Sequence, residues 1–156
     1  MIIINLDVDG VLYPSLPLHE YAEEGCFEKY EPKEGNATVA FVDKIRELIK
    51  GKGFVMFLTK TCSISQHLHD AHALEKRRWL KKYLGASDGE IIVLKSDEDK
   101  NGHSYGILID DYSQNCMKWE EDDDRIAIQF GEAKKKPWLT AETYDETIKT
   151  LEAILK

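Results

Sequence analysis

Several common classes of protein are disfavoured by what the sequence lacks. Its 156 residues include only three cysteines, and no two of them form a CxxC pair. An odd and unpatterned set of cysteines predicts reduced thiols in a cytosolic protein. No apolar run is long enough to cross a membrane, and Met1 is followed directly by a strand, so we expect neither a membrane span nor a signal peptide. The GxxxxGK(S/T) loop of P-loop kinases is missing as well.

The composition is that of an acidic, globular protein. Hydrophobic residues make up 42% of the chain and charged residues 32%, and the formal net charge is −8. A chain of this length can bury a substantial core but is short for two domains, so we expect a single cytoplasmic domain over residues 1–156. The negative charge repels nucleic acid and anionic membranes, which makes both poor candidates for partners.

The most informative stretch is residues 2–12, IIINLDVDGVL. Its isoleucine and leucine run predicts a strand buried on both faces. Because side chains alternate along an extended chain, Asp7 and Asp9 point to the same side. Gly10 allows the backbone to turn sharply and to come close to a ligand. Asp-Val-Asp-Gly is also a common turn sequence, but here the two acids end an apolar strand, where a bound cation or a shared proton would stabilise them.

Strand-like and helix-like patterns alternate along the rest of the chain. Asn36 is predicted to cap the first helix, which Gly51 and Gly53 end, and Thr140 to cap the last. We expect further strands at 54–58, 91–94, 107–109 and 125–130, and helices at 37–50, 63–84 (broken or loose near 67–72), 112–119 and 141–155. This alternation predicts an α/β fold, a doubly wound, Rossmann-like parallel sheet of about five strands.

Reactive side chains follow three of these strands where each strand ends. They are Asp7 and Asp9, Thr59 with Lys60, and Asp110 with Asp111. In a parallel sheet these ends meet at one edge, where ligands bind. Carboxylates without histidine or cysteine suit a hard cation such as Mg²⁺, and a hydroxyl with a lysine suits a phosphoryl group. One carboxylate can attack phosphorus while a second transfers protons.

Residues 13–36 separate the first strand from the first helix. Their beginning, YPSLP, cannot continue a strand or a helix interior. The rest is polar and acidic, and either a small cap over the end of the first strand or a long surface loop fits this pattern. Tyr13, Phe27 and Tyr30 could stack on a nucleobase, although packing inside the protein explains each of them equally well.

Three motifs resemble those of the haloacid dehalogenase-like (HAD) phosphohydrolases. Residues 7–12, DVDGVL, resemble the first motif, Thr59 after a buried strand resembles the second, and residues 107–111, ILIDD, resemble the fourth. The resemblance covers the whole chain. Residues 75–85, EKRRWLKKYLG, followed by Lys100 ten residues before Asp110, are similar to the 5'(3')-deoxyribonucleotidase branch. The implied partner is a small phosphorylated substrate, with a nucleoside monophosphate first, although residues 13–36 are short for a full nucleotidase cap.

The resemblance implies a chemical role for the acidic residues. Asp7 would attack phosphorus and form an aspartyl-phosphate, and Asp9 would protonate the leaving oxygen and then activate water. Mg²⁺ would be held by the Asp7 carboxylate, the Asp9 backbone carbonyl and Asp110. Asp111 would assist the metal site or orient its waters.

The resemblance also implies a substrate site beside the metal. Thr59 would hold a phosphate oxygen, next to Lys60, the Gly10 backbone and the Tyr13 ring. Lys100 would neutralise the nucleophile and the phosphate. Lys95, directly after the third strand, is the alternative for this role, but the spacing to Asp110 favours Lys100.

Other functions fit the residues less well. A binding or regulatory module that keeps the fold without turnover would gain little from the second acid, Asp9. A 3'-phosphatase acting on nucleic-acid ends suits an open site but not a net charge of −8. The triplet His67, His69 and His72 suggests zinc, but its spacing is not that of an established zinc motif.

Overall fold

In the part of the chain that the structure describes, six parallel strands form a single open sheet at the centre of the protein. The computed structural model describes residues 1–61 and 65–156. The strands are β1 (Ile2–Leu6), β2 (Gly53–Lys60), β3 (Ile91–Leu94), β4 (Ile107–Asp110), β5 (Ile126–Phe130) and β6 (Leu139–Ala141). Their order is β3-β2-β1-β4-β5-β6. The chain adds β2 and β3 on one side of β1 and then β4, β5 and β6 on the other side, so the strand order switches between β1 and β4. The predicted parallel α/β fold is therefore confirmed.

The sixth strand corrects the prediction of about five. Leu139–Ala141 pairs with the end of β5, with Thr140 opposite Gln129, and Trp138 donates a hydrogen bond to the Gln129 side chain at 2.9 Å. A strand of three residues is too short to show a recognisable alternation of apolar and polar side chains, so this strand was not predicted. Thr140 is consequently a strand residue, and the predicted capping role belongs to Thr143, whose side chain accepts a hydrogen bond from the backbone N–H of Glu146 at 3.2 Å.

Among the described residues, four α-helices cover the sheet. They are α1 (Asn36–Ile49), α2 (Gln66–Leu84), α3 (Ser113–Trp119) and α4 (Tyr144–Ile154). Gly35 occupies the capping position of α1, and Asn36, predicted as the cap, is the first helical residue. Within residues 1–61 and 65–156, no helix is both long enough and apolar enough to cross a membrane.

Helix α2 is continuous through the stretch that was expected to be loose. Ser65 caps it by accepting a hydrogen bond from the N–H of Leu68 at 3.2 Å, and Gly85, with a φ of 61°, ends it. His72 is fully buried against the segment that follows β1, which explains why a polar stretch holds its helical form. The first residues of the predicted helix, and Cys62, lie outside the described residues.

The core has two layers, one on each face of the sheet. Phe57 of β2 packs into the larger layer with Ile45 of α1 and Leu80 of α2. Its neighbour Leu58 points to the opposite face, where Trp119 of α3 fills the smaller layer. Burial on both faces accounts for the continuous apolar character of the strands. Cys26 and Cys116 are buried, and neither forms a disulfide bond with another described residue.

The segment 13–36 contains two short 3-10 turns, Leu18–Ala22 and Cys26–Glu28, and the second of them packs against α2. The Glu75 carboxylate of α2 accepts hydrogen bonds from the backbone N–H groups of Gly25 (2.9 Å) and Phe27 (3.2 Å). The Tyr13 ring lies 5.1 Å from Trp79 and 5.9 Å from Phe27, centroid to centroid. The segment is therefore docked beside the carboxyl end of β1, and we refer to residues 13–36 as the cap segment.

Candidate active site

The carboxyl ends of β1, β2 and β4 meet around a cavity of about 330 Å³. The backbone N–H of Asp7 continues the pairing of β1 with β4 by donating to Ile109 at 2.9 Å. The cavity is lined by Asp7, Asp9, Ser15, Tyr21, Lys60, Thr61, Ser96, Lys100, Asp111, Tyr112 and Asn115. Adjacent parallel strands thus bring together acids and lysines that are more than 90 residues apart in the chain.

Gly10 is required where the chain turns after Asp9. Its φ is 84°, which other residues rarely adopt. A Cβ atom at Gly10 would lie 2.0 Å from Oδ2 of Asp111, so the close approach predicted for this glycine is to a carboxylate of the site itself. Lys33 of the cap segment donates to the Gly10 carbonyl at 2.8 Å and holds the turn from outside.

Lys100 joins the acids of β1 and β4. Its Nζ donates to Oδ1 of Asp7 at 2.8 Å and to Oδ2 of Asp110 at 2.7 Å, and its side chain is 3% exposed. Lys95 is exposed. Of the two lysines considered from the sequence, Lys100 is therefore the one that contacts the predicted nucleophile.

Asp110 is held from three sides. Besides Lys100, its carboxylate accepts hydrogen bonds from the backbone N–H of Tyr112 at 2.9 Å and from the side chain of Asn115 at 3.0 Å. Asn115 lies on α3, directly after β4, so a local turn supplies two of the three donors. These contacts fix the carboxylate, which is fully buried close to those of Asp7 and Asp111.

Burial and mutual repulsion make the acids weaker than usual. Burial raises the pKa of Asp7 to about 6, with Lys100 opposing the shift and the charges of Asp111 and Asp9 adding to it. Burial and the charge of Asp7 raise the pKa of Asp110 to about 6, again against Lys100. Burial would lower the pKa of Lys100, but Asp110 and Asp7 outweigh it and raise that pKa. One lysine therefore only partly compensates the buried carboxylates.

The three carboxylates that face each other form a candidate metal centre. Ligand atoms of Asp7, Asp110 and Asp111 all lie within 4.8 Å of one another. An all-oxygen donor set with raised carboxyl pKa values fits a hard divalent cation, which would remove the repulsion. The donor chemistry is compatible with Mg²⁺ but does not distinguish it from other hard cations.

Lys76 is the main residue of this region that the sequence reasoning missed. It lies on α2, is 1% exposed, and its Nζ donates to Oδ2 of Asp9 at 2.6 Å and to Oγ1 of Thr59 at 2.7 Å. A signal was present, since position 76 falls on the buried stripe of α2 that includes His72 and Leu80. A lysine on such a stripe requires a buried partner.

Three of the four predicted substrate residues, Gly10, Thr59 and Tyr13, are not among the residues that line the cavity. Thr59 is fully buried and its hydroxyl accepts from Lys76, whereas Thr61, two residues later, lines the cavity. The Tyr13 ring is 1% exposed, and its hydroxyl donates to the Cys26 carbonyl at 2.8 Å. The structure therefore gives Tyr13 a packing position, which disagrees with a role in base stacking, while Lys60 does reach the cavity.

The three histidines of α2 do not converge on a common point. His67 contacts Glu24, His69 Nδ1 lies 2.9 Å from the Thr61 hydroxyl, and His72 contacts the Glu23 carbonyl at 2.8 Å. His72 is close to Cys26 and Glu75. However, the Glu75 carboxylate is engaged by two backbone N–H groups, and this cluster anchors the cap segment.

No protein-family model matches the chain, and no curated protein matches it.

Proposed function

We propose that the protein is a phosphate monoester hydrolase of the HAD type. The observation that carries the proposal is the group of Asp7, Asp110 and Lys100, buried at the carboxyl edge of the sheet with a second acid, Asp9, at the same cavity. A buried carboxylate pair bridged by a lysine suits nucleophilic attack on phosphorus. A separate acid that lines the cavity suits proton transfer to a leaving group.

The reaction proceeds in two displacements. In the first, a carboxylate oxygen of Asp7 forms a bond to phosphorus while the bond to the ester oxygen breaks, and Asp9 donates its proton to that oxygen. In the second, Asp9 takes a proton from water, the water oxygen attacks phosphorus, and the Asp7–phosphorus bond breaks to release phosphate. Asp9 is then protonated again and Asp7 is ionised, so the enzyme returns to its starting state.

Positive charge is needed both beside the nucleophile, Asp7, and beside the phosphate group of the substrate. Lys100 favours the ionised form of Asp7, and Lys60, which lines the cavity, can pair with phosphate oxygens. Asp7, Asp110 and Asp111 would hold Mg²⁺, with the Asp9 carbonyl as the further ligand implied by the resemblance. The metal would neutralise charge on the phosphoryl group as a Lewis acid.

Within this class, a nucleoside monophosphate is the proposed substrate. A cavity of about 330 Å³ is large enough for a small phosphorylated ligand. Tyr21 and Tyr112 at its lining supply flat surfaces suited to a base or a sugar. These two rings take the place of Tyr13 in the hypothesis of base stacking.

Phosphate release from a panel of substrates tests the proposal. Deoxyribonucleoside and ribonucleoside monophosphates, sugar phosphates and p-nitrophenyl phosphate are compared with and without Mg²⁺. We expect Mg²⁺-dependent turnover that Asp7→Asn abolishes and that Asp43→Asn, an exposed acid of α1, leaves unchanged. Equal turnover of nucleotides and p-nitrophenyl phosphate contradicts the nucleotide assignment, and no turnover by the folded protein contradicts the hydrolase.

A further inference from the structure

The ammonium group of Lys76 has three hydrogen-bond acceptors within the protein. They are Oδ2 of Asp9 (2.6 Å), Oγ1 of Thr59 (2.7 Å) and the backbone carbonyl of Lys60 (2.6 Å). A lysine carries three N–H donors, so each donor has a partner and none remains for a substrate phosphate. Lys76 therefore acts most directly on the groups that it holds.

Asp9 is the one of these groups that faces the cavity with a reactive side chain. Its side chain is 22% exposed, whereas that of Lys76 is 1% exposed. A short, charge-assisted bond to a rigid buried donor restricts the rotation of a carboxyl group. Thr59 and the Lys60 carbonyl come from the end of β2, so the ammonium group is itself fixed to the sheet.

The cap segment contributes to the same arrangement. The Phe27 ring lies 4.4 Å from Nζ of Lys76, at the distance of a cation–π contact. The adjacent residue of α2, Glu75, binds the backbone N–H groups of Gly25 and Phe27. Two successive residues of α2 thus connect the turn Cys26–Glu28 to the acid of the proposed reaction.

We infer that Lys76 is the positioning residue for Asp9, and that it makes the orientation of this acid dependent on the docked cap segment. The inference rests on the proposed function. Lys76 keeps its own protons throughout, since the proton that reaches the leaving oxygen comes from Asp9 and is replaced from water. A purely structural lysine would support folding without affecting proton transfer.

The dependence of the rate on the leaving group distinguishes these roles. An alkyl phosphate such as a nucleoside monophosphate needs a proton on its leaving oxygen, whereas p-nitrophenyl phosphate needs little assistance. For Lys76→Met we expect kcat on the alkyl ester to fall by about 100-fold or more, and kcat on the aryl ester by less than about tenfold. KM should change little, because the ammonium group has no donor left for the substrate.

Two further variants control the experiment. Lys82→Met removes an exposed lysine from the same helix and should leave both rates unchanged. In a protein that already carries Asp9→Asn, adding Lys76→Met should not increase the preference for the aryl ester further. The reason is that Lys76 acts on this preference through Asp9, which is already replaced. If Lys76→Met does not fold, Phe27→Leu serves as the test variant. We expect its kcat to fall more on the alkyl ester than on the aryl ester, by a smaller factor than in Lys76→Met.

The possible failures are distinct. A wild-type protein that hydrolyses neither ester contradicts the proposed function. Wild-type turnover with equal losses on both esters, in Lys76→Met or in Phe27→Leu, overturns the inference alone. A raised KM with unchanged kcat in Lys76→Met also overturns it, because that result assigns Lys76 to substrate binding.

Discussion

Individual residues of the candidate site are constrained by both geometry and charge. The chain turns at Gly10, where the Asp111 carboxylate leaves no room for a Cβ atom. Lys100 binds Asp7 and Asp110 and lies between them. A substitution at one of these positions therefore changes both the packing and the charge balance of the site. Matched substitutions elsewhere in the chain separate the contributions.

Replacing Gly10 by alanine tests the close approach of Asp111. Gly51 has a similar φ, 76° against 84°, but nothing lies within 4 Å of a Cβ built there. Both alanine variants bear the backbone strain of a positive φ, about 1–2 kcal/mol, and only Gly10→Ala adds a steric conflict. We expect the free energy of unfolding in urea to fall further for Gly10→Ala than for Gly51→Ala. Equal losses would mean that Asp111 moves aside without cost.

The raised pKa values of Asp7 and Asp110 predict how stability depends on pH. The pKa of each carboxyl group is 3.8 in the unfolded chain and about 6 in the folded protein. Between these values the folded state binds more protons, so the stability of the metal-free protein falls as the pH rises from about 4 to about 6. The expected loss is of the order of a few kcal/mol, because a difference of one in pKa corresponds to about 1.4 kcal/mol.

Urea unfolding in the presence of a chelator measures this slope. Asp110→Asn should flatten it, since one of the two titrating groups is removed, while Asp97→Asn, at an exposed position before Lys100, should not. A wild-type protein whose stability rises steadily across the same pH range would show that the site acids are not strained by burial.

At the level of the secondary structure elements, α2 joins the cap segment to the sheet. Its buried face carries His72, Glu75 and Lys76 besides apolar residues. Each of these polar groups binds either the cap segment or the end of β2. The helix therefore gains tertiary contacts that its low hydrophobic content would not predict.

Glu75→Ala tests the anchoring of the cap segment. The change removes the acceptor for two backbone N–H groups, those of Gly25 and Phe27, and hydrogen bonds to a charged group contribute about 1.5–3 kcal/mol each. We expect faster hydrogen exchange across residues 18–30 and a loss of stability of a few kcal/mol. Glu47→Ala, on the exposed face of α1, is the matched control. Unchanged exchange in Glu75→Ala would show that aromatic packing alone holds the segment.

For the molecule as a whole, the sheet order decides where charge accumulates. Neighbouring strands β1 and β4 bring four acids to one edge of the sheet, and the negative potential there favours a divalent cation. Binding of a cation to the folded state alone stabilises it by mass action.

Mg²⁺ should therefore raise the melting temperature of the protein. At a concentration of 100 times its Kd, the gain is about 2.7 kcal/mol. Asp110→Asn should abolish most of this shift, whereas Asp145→Asn, at an exposed position on α4, should retain it. The measurement needs no turnover, so it tests the metal centre independently of the hydrolase. An identical melting temperature with and without Mg²⁺ would contradict the metal centre.

Much of the architecture was accessible from local patterns. The strands at 91–94 and 107–109 and the end of α2 at Gly85 were predicted within a residue, because uninterrupted apolar runs and a glycine after a helical repeat are local signals. Asp7, Asp9, Asp110 and Asp111 were identified for a related reason. They lie at the ends of strands or within three residues after them, and parallel strands end at a common edge.

The remaining features depended on contacts between distant parts of the chain. Leu139–Ala141 becomes a strand only because β5 offers an unpaired edge, and this pairing moves the helix cap from Thr140 to Thr143. Tyr13 belongs to the interior only because Phe27 and Trp79 surround it. Periodicity reports which face of an element is buried but not what buries it. The sequence alone therefore determined five of the six described strands and the acids at their ends, while the tertiary structure decided that Lys76 and Lys100 reach those acids, since a buried charge is explained only by its partner.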